Sequence, residues 1–277
     1  MKKVVVTGSN GFIGKCVVEH IRARGWEPIA PGSQEWRLGM PLPPACDKAD
    51  AVIHLASALL KANTNLNAAS ALDMQGTSLL IEQHRDLNTA GKRKKFIFVS
   101  SQSAREDAGN NYGKSKWAIE RLLEQENEIV VRPGLVYDSK EGGVFGLFAA
   151  LCKLPVVPVL SQKPCIQPIE VHELADALLR IVAAEQPLRC YNLGAPAPLT
   201  FTEMIQAVAK RTGRPPPLGV HFPVMPVRAL AALLDFGLGI SPPLLERIDG
   251  LVAVRPMDTQ GSLKVLDMTL ESFVGRT

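Results

Sequence analysis

Residues 4–14 have the sequence VVVTGSNGFIG, in which a run of valines breaks into three glycines and continues as an apolar helical pattern. The β-branched run favours a strand that is buried on both faces. Apolar side chains then recur at helical spacing up to Gly25, at Phe12, Ile13, Val17, Val18 and Ile21. A strand, a glycine turn and a helix in this order form the first unit of a nucleotide-binding sheet. The stretch therefore predicts an α/β fold, a Rossmann-type doubly wound parallel sheet.

The three glycines have different expected tasks. Gly8 turns the chain tightly, Gly11 lets the backbone approach a pyrophosphate, and Gly14 lets the helix lie close to the strand. The phosphates would then accept hydrogen bonds from the N–H groups at the helix N-terminus. We predict that this loop contacts a cofactor through Gly8, Asn10, Gly11, Phe12, Ile13 and Gly14.

Length, charge and cysteine content exclude several classes of protein. With 277 residues, 46% of them hydrophobic, the chain can bury a core without cross-links. Its five cysteines are scattered and never form Cys-x-x-Cys, which predicts free thiols, a cytoplasmic location and no metal site. A net charge of +4 suits an anionic ligand but is no sign of nucleic-acid binding.

Two segments bear on secretion and on membranes. The first strand begins within three residues of Met1, so we expect no signal peptide. The longest apolar tract, residues 222–240, is interrupted by Pro223, Pro226, Arg228 and Asp235. It therefore predicts a core or interface helix rather than a membrane span.

The residues that carry chemistry follow the apolar run 96–99. That run ends in Ser100 and Ser101, and Tyr112 and Lys116 open a helical pattern that continues to Leu123. Their i, i+4 spacing places the phenol and the ammonium on one helix face. A phenol with its ordinary pKa of about 10 is a poor acid at neutral pH, and we expect the ammonium and a cationic nicotinamide to lower that pKa. Ser101 would hold the same substrate oxygen, so we predict Tyr112, Lys116 and Ser101 as catalytic residues.

These motifs resemble the extended short-chain dehydrogenase/reductase family, which includes the nucleotide-sugar epimerases. The likeness rests on Thr-Gly-x-x-Gly-x-x-Gly at residues 7–14, on Tyr-x-x-x-Lys at residues 112–116 and on a strand similar to the family's His-Leu-Ala-Ala. It implies NAD or NADP as cofactor, and hydride transfer at a sugar carbinol, C4, by a 4-epimerase or a 4-ketoreductase. It also implies cofactor contacts from Leu55, Ala56, Ser57, Lys116 and Pro133.

The sequence departs from the family around the adenosine half of the cofactor. A second strand at residues 26–30 is followed by Pro31-Gly32-Ser33, where NAD-binding members carry an acidic residue. Ser33 and Arg37 suit a 2′-phosphate, so the sequence leans towards NADP while the choice stays open. The segment that follows, residues 32–47, leaves little room for the usual third βα unit.

Further departures concern the substrate. Gln102 and Ser103 stand where dehydratases of the family carry two acids, so water elimination is disfavoured. Ile166 stands where many epimerases carry a diphosphate-binding arginine, and Lys163 is the nearest substitute. The resemblance implies substrate contacts from Ser101, Gln102, Ser103 and Arg255.

The resemblance covers the chain from end to end and divides it in two. It implies a cofactor-binding domain at residues 1–160, sheet returns around 165–195 and a substrate lobe over 161–277. The expected partners are a nucleotide sugar and a second copy of the chain, with neither nucleic acid nor a membrane span. The alternative is a non-catalytic NAD(P)-binding scaffold or redox sensor, since a fold of this kind persists when its chemistry is lost.

Overall fold

The computed structural model describes residues 1–58, 66–88, 94–138, 143–159, 163, 165–238, 244–270 and 273. Its strands are β1 Lys3–Thr7, β2 Glu27–Ile29, β3 Ala51–His54, β4 Lys95–Val99, β5 Glu128–Pro133, β6 Leu135–Tyr137, β7 Val156–Val159, β8 Pro168–Glu170, β9 Cys190–Leu193 and β10 Leu218–His221. Its helices are α1 Phe12–Ala23, α2 Leu66–Asn88, α3 Asn111–Glu120, α4 Gly143–Leu151, α5 Val171–Ala183, α6 Phe201–Arg211, α7 Val224–Leu238, α8 Leu244–Ala253 and α9 Gln260–Val265.

A parallel sheet organises this part of the chain. Its strand order is β2-β1-β3-β4-β5-β9, and each neighbouring pair is parallel. The order runs outward in both directions from β1, which creates a crevice at the carboxyl ends of β1 and β3. Open α/β sheets bind ligands at such a point. The predicted Rossmann-type fold is confirmed.

Two helical layers cover the sheet, because side chains of each strand point alternately to its two faces. Helices α1 and α5 pack on the face that carries Val4, Val6 and Ile53. Helices α2 and α3 pack on the other face, against Val5, Val52, Phe96 and Phe98. A separate apolar cluster around Phe148, Met204 and Val208 forms in the second half of the chain. The division at residue 160 stays a prediction.

The edge of the sheet beyond β2 is short. Residues 30–50 contain only a 3₁₀ helix, Pro44–Lys48, in place of a third βα unit. β2 has three residues, all half-buried, and is shorter than the predicted strand at 26–30. The adenosine side of the predicted cofactor site therefore ends at a short edge strand.

Helix α3 is shorter than the sequence predicts. It ends at Glu120, because the backbone N–H groups of Leu122 and Leu123 donate to the carbonyls of Ile119 and Glu120 in tight turns. Strand β7 lies outside the main sheet and pairs with β10. Helix α7 buries Ala231 and exposes Met225, Leu230 and Leu233, so a core or interface helix stays a prediction. Within the described residues, we find no helix that is long and apolar enough to cross a membrane.

Candidate active site

The carboxyl edge of the sheet brings the predicted cofactor residues together. The turn at Gly8 lies against the end of β3, since a Cβ at Gly8 would be 2.8 Å from the Ala56 backbone nitrogen. Further along the same edge, the Gln102 backbone N–H donates to the Pro133 carbonyl at 2.8 Å. Lys116 reaches this edge from α3, with Nζ 3.0 Å from the Val99 carbonyl oxygen. Residues of four loops thus meet where the sheet's crevice opens.

The glycine loop has the geometry that a dinucleotide needs. Gly8 has a φ of +72°, which favours glycine. A Cβ at Gly14 would lie 2.2 Å from the Gly8 carbonyl oxygen, so only glycine permits this approach. Helix α1 then begins without a side-chain cap and without an acidic residue in its first turn. Its N–H groups are left to an outside acceptor, and the residues present fit a pyrophosphate.

The predicted catalytic side chains are in mutual reach. Tyr112 shares a side-chain hydrogen bond with Ser101, and its ring centroid lies 5.9 Å from Lys116 Nζ. The neighbouring hydroxyl of Ser100 points away and donates to Glu120 Oε1 at 2.5 Å. The structure therefore distinguishes the two serines that end β4 and places Ser101 beside the phenol.

The pKa of Tyr112 differs from the sequence expectation. Burial of the phenol raises its pKa to about 12, against the lowering effect of the Ser101 hydrogen bond and with a further raising effect from Asp73. The predicted lowering by Lys116 is wrong for the chain's own groups, because burial costs the phenolate more than its neighbours return. Tyr112 is therefore a neutral phenol at physiological pH.

Lys116 is buried and its charge has nearby partners. Burial lowers the pKa of its ammonium to about 8, while Asp73 and Glu120 raise it. Asp73 is itself buried and accepts hydrogen bonds from the Ser57 hydroxyl and the Ala58 N–H, each at 2.5 Å. Asp73 therefore interacts both with Ser57, a predicted cofactor contact, and with the ammonium of Lys116, a predicted catalytic residue.

Gln102 is held inside the protein. Its side chain is buried, and its amide nitrogen lies within hydrogen-bond distance of the carbonyl oxygens of Cys165 and Arg255 and of Gln167 Oε1. This arrangement favours a positioning role over the predicted substrate contact. Ser103, also predicted to touch substrate, donates through its backbone N–H to Ser101 Oγ at 3.1 Å. This backbone hydrogen bond orients the hydroxyl of Ser101, a predicted catalytic residue.

Gln167 lies beside the site, and no sequence pattern indicated it. It is fully buried, and its amide nitrogen donates to the Ala195 and Met257 carbonyls, each at 3.0 Å. A Cβ at Gly134 would lie 1.9 Å from the Gln167 carbonyl oxygen, which explains the glycine after Pro133. The segment 255–268, here called the C-terminal strap, is thus fastened beside the site.

Comparison with known proteins gives the family. Residues 1–231 match the RmlD substrate binding domain family. The chain belongs to this family. The family lies within the extended short-chain dehydrogenases/reductases, so the resemblance is confirmed.

Two relatives and one solved structure illustrate the range of this RmlD-type chain. It is 30% identical to the ceramide reductase of Caulobacter vibrioides, covering 88% of this chain and 84% of that protein. It is 23% identical to the mitochondrial NADH dehydrogenase (ubiquinone) 1 alpha subcomplex subunit 9 of Dictyostelium discoideum, over 87% and 70%. The dTDP-4-dehydrorhamnose reductase of Bacillus anthracis, solved with NADP, superposes with a TM-score of 0.70 at 12% identity, over 99% and 96%.

A positive side chain, Arg37, and a negative one, Glu35, both follow β2 in this chain. Arg37 Nε donates to the Ser33 carbonyl at 3.1 Å, which holds the guanidinium beside the serine. The Glu35 carboxylate accepts from the Gly32 N–H at 3.1 Å, so an acid does lie after β2 although the strand itself lacks one. The fold returns this acid to the strand end through a turn, which the sequence did not indicate.

Two conspicuous side chains of the RmlD-type chain have structural tasks. His54 is fully buried between the hydroxyls of Thr7 and Thr77, at 2.6 and 2.9 Å, and burial lowers its pKa to about 3. Arg132 forms an ion pair with Glu120, the last residue of α3. Arg255 is exposed and pairs with Asp107 at 2.5 Å, so its contact with a phosphate stays a prediction.

Proposed function

We propose that this protein is an NAD(P)H-dependent ketoreductase that reduces a carbonyl to a carbinol, at C4 of a nucleotide-activated sugar. The proposal rests on one observation, the phenol of Tyr112 hydrogen-bonded to Ser101 with Lys116 one helical turn away. When bound, the nicotinamide cofactor supplies a hydride to the carbonyl carbon.

The chain's own residues manage the oxygen of that carbonyl. Ser101 donates a hydrogen bond to it and Tyr112 donates the proton as negative charge develops. The Lys116 ammonium stabilises the phenolate that results, because the two side chains share one face of α3. The phenolate regains its proton from solvent before the next turnover.

The pKa of Tyr112 favours reduction over epimerisation. An epimerase needs the same group first as a base and then as an acid, whereas a phenol with a pKa of about 12 is protonated and ready to donate. Ser33 and Arg37, which follow β2, support the same choice because they suit the 2′-phosphate of NADPH. A reductase takes this reduced cofactor from solution and consumes it once in each reduction.

The test separates the three possibilities. Purified chain is acid-quenched and its nucleotide content measured, and apo protein is then titrated with NADPH and NADH. We expect an empty protein that binds a reduced cofactor reversibly and oxidises it when the ketone is added. Tightly retained NAD would support the 4-epimerase instead, and binding of neither cofactor would leave the non-catalytic scaffold.

The rate of reduction should depend on the charge of Lys116. Because the pKa of its ammonium is about 8, the group is charged below that pH and neutral above it. We expect the turnover number to be level near neutral pH and to fall about tenfold per pH unit above about 8. A Lys116→Met variant should be slow and lack this alkaline limb; an unchanged limb in that variant would contradict the assignment.

Arg37 should decide the choice of cofactor. Loss of a charge-assisted contact to the 2′-phosphate costs about 1.4 kcal/mol or more, so Arg37→Ala should weaken NADPH affinity about tenfold. NADH affinity should stay the same, because that cofactor has no 2′-phosphate. Fluorescence titration of both cofactors measures the ratio. The opposite variant, Glu35→Gln, should weaken NADH only, and equal losses for both cofactors would exclude a phosphate contact.

A lipid ketone is a second candidate substrate. Ile166, at the position of the expected arginine, is buried in the apolar cluster and bonds through its backbone to Leu199. Met225, Leu230 and Leu233 on α7 and Phe222 just before it are exposed apolar side chains, and one relative is a ceramide reductase. Parallel assays with a 4-keto nucleotide sugar and a keto-ceramide, with Tyr112→Phe as the blank, decide between the two classes.

A further inference from the structure

One thiol and two imidazoles, side chains that bind metals, form a cluster on the face of the sheet opposite α3. Cys16 and His20 are on α1, and His172 is in the first turn of α5. Cys16 Sγ lies 3.2 Å from His172 Nδ1, and His20 Nε2 lies 3.1 Å from the same nitrogen. One donor atom from each residue lies within 4.8 Å of the other two.

The fold explains why these three side chains converge. An i, i+4 spacing puts Cys16 and His20 on one face of α1, and that face packs against α5 over the main core. The cluster runs from a buried thiol through a half-buried imidazole to an exposed one. An ion from solvent can therefore enter at His172 and reach the sulfur.

Hydrogen bonds alone account poorly for the arrangement. A neutral imidazole nitrogen has one lone pair or one hydrogen, yet His172 Nδ1 meets two partners at once. Zinc bonds of about 2.3 Å to sulfur and 2.0–2.1 Å to nitrogen, at tetrahedral angles, separate neighbouring ligand atoms by about 3.3–3.6 Å. The two separations from His172 Nδ1 need to grow by only a few tenths of an ångström, and the Cys16 and His20 ligand atoms lie within 4.8 Å of each other.

The surroundings are favourable for a cation. Glu19, Asp138 and Glu170 add negative potential at the thiol and, with burial as the largest cause, raise the pKa of Cys16 to about 12. At His20, burial and the neighbouring His172 lower the pKa overall, Asp176 and Glu19 act in the opposite direction as negative charges, and Arg24 adds to the lowering. Charges that oppose a free thiolate stabilise a bound divalent ion, which displaces the thiol proton to solvent.

We propose that Cys16, His20 and His172 bind one divalent transition-metal ion of the zinc class, with a fourth position open to water. Sulfur and imidazole ligands select such ions over Mg²⁺ and Ca²⁺. The ion ties α1 to α5. No sequence motif indicates this site, because the third ligand is far along the chain and the cysteine spacing lacks a zinc pattern.

The test uses tag-free, full-length chain that has been treated with chelator and kept in a reductant without thiols. Zn²⁺ is titrated by calorimetry, and Co²⁺ by its absorption. We expect one ion per chain and a thiolate-to-cobalt charge-transfer band. His172→Ala should weaken Zn²⁺ binding more than about tenfold, and Cys16→Ser should abolish the band.

Matched controls are available on the same chain. Cys190 is an exposed free cysteine and His221 an exposed histidine, both remote from the cluster in sequence. Cys190→Ser and His221→Ala should leave Zn²⁺ affinity and the cobalt band unchanged. Circular dichroism checks folding, and because His172 is exposed its variant should fold; His20→Ala provides a second reduction in affinity.

Several outcomes would overturn the proposal. One is binding of Co²⁺ by the wild-type chain without a thiolate band, and another is a His172→Ala variant that binds Zn²⁺ as tightly as wild type. Loss of binding in Cys190→Ser would assign the ion to that exposed thiol. In each of these cases the three side chains form a hydrogen-bonded group and no metal site.

Discussion

Replacement of Tyr112 by phenylalanine should reduce turnover roughly a thousandfold, while the protein stays folded and binds its cofactor. The change removes one oxygen, which donates the proton to the substrate and is hydrogen-bonded to Ser101. The aromatic ring remains beside Lys116 Nζ, so packing and charge are conserved. Phenylalanine cannot supply a proton to the substrate oxygen. We therefore expect the turnover number to fall while KM stays nearly the same.

The measurement compares cofactor oxidation with cofactor affinity in the same preparation. Tyr191→Phe is the matched control, because its hydroxyl accepts from the Leu188 N–H and its ring packs in the apolar cluster on the sheet face that α1 and α5 cover. That variant should lose little activity. A folded Tyr112→Phe variant that turns over at the rate of wild type would disprove the assigned role.

Replacement of Glu128 by alanine should lower the free energy of unfolding by about 3 kcal/mol. Glu128 is fully buried at the start of β5 and binds Arg85 at 2.6 and 2.8 Å. It also accepts from the backbone N–H groups of Glu124 and Gln125, at 2.6 and 2.9 Å. Its loss leaves the Arg85 guanidinium on α2 and two backbone N–H groups in the turn before β5 without this acceptor, and the lost charge-assisted hydrogen bonds lower stability.

Urea unfolding at neutral pH gives this difference. Glu27→Ala is the matched control, since Glu27 forms a half-exposed ion pair with Lys3 and should cost less than about 1 kcal/mol. Although burial raises the pKa of Glu128, Arg85 and the two N–H groups lower it overall. Its contribution is therefore present above the unfolded pKa of about 4.3 and is lost as the pH falls through the folded pKa. Equal stability of both variants would contradict this account.

Local sequence patterns were sufficient to predict much of the fold. The strand, glycine turn and helix at residues 3–23 are contiguous, so valine enrichment and helical spacing were sufficient to predict them. Tyr112 and Lys116 could be paired because one turn of helix separates them. The capping box of Thr200 and Glu203 at the start of α6 is local in the same way, because the two residues are only three positions apart.

Features that depend on distant contacts were not predictable. Gln167 had no sequence signal, because its partners Gln102 and Met257 are brought to it only by the folded sheet. The raised pKa of Tyr112 depends on burial, which spacing does not reveal. Cytoplasmic location and a homodimer are predictions that the structure leaves untested.

The C-terminal strap has a consequence for how the protein is made. Ser262 accepts from the Asn192 N–H of the last sheet strand, and the carbonyls of Leu266 and Asp267 accept from Arg180 on α5. The strap is translated after every strand of the sheet. A ribosome-bound chain that has released residues 1–231 therefore carries all strands but leaves Gln167 without Met257. The contacts between Gln167 and the strap are therefore among the last to form, after the strands of the sheet have been made.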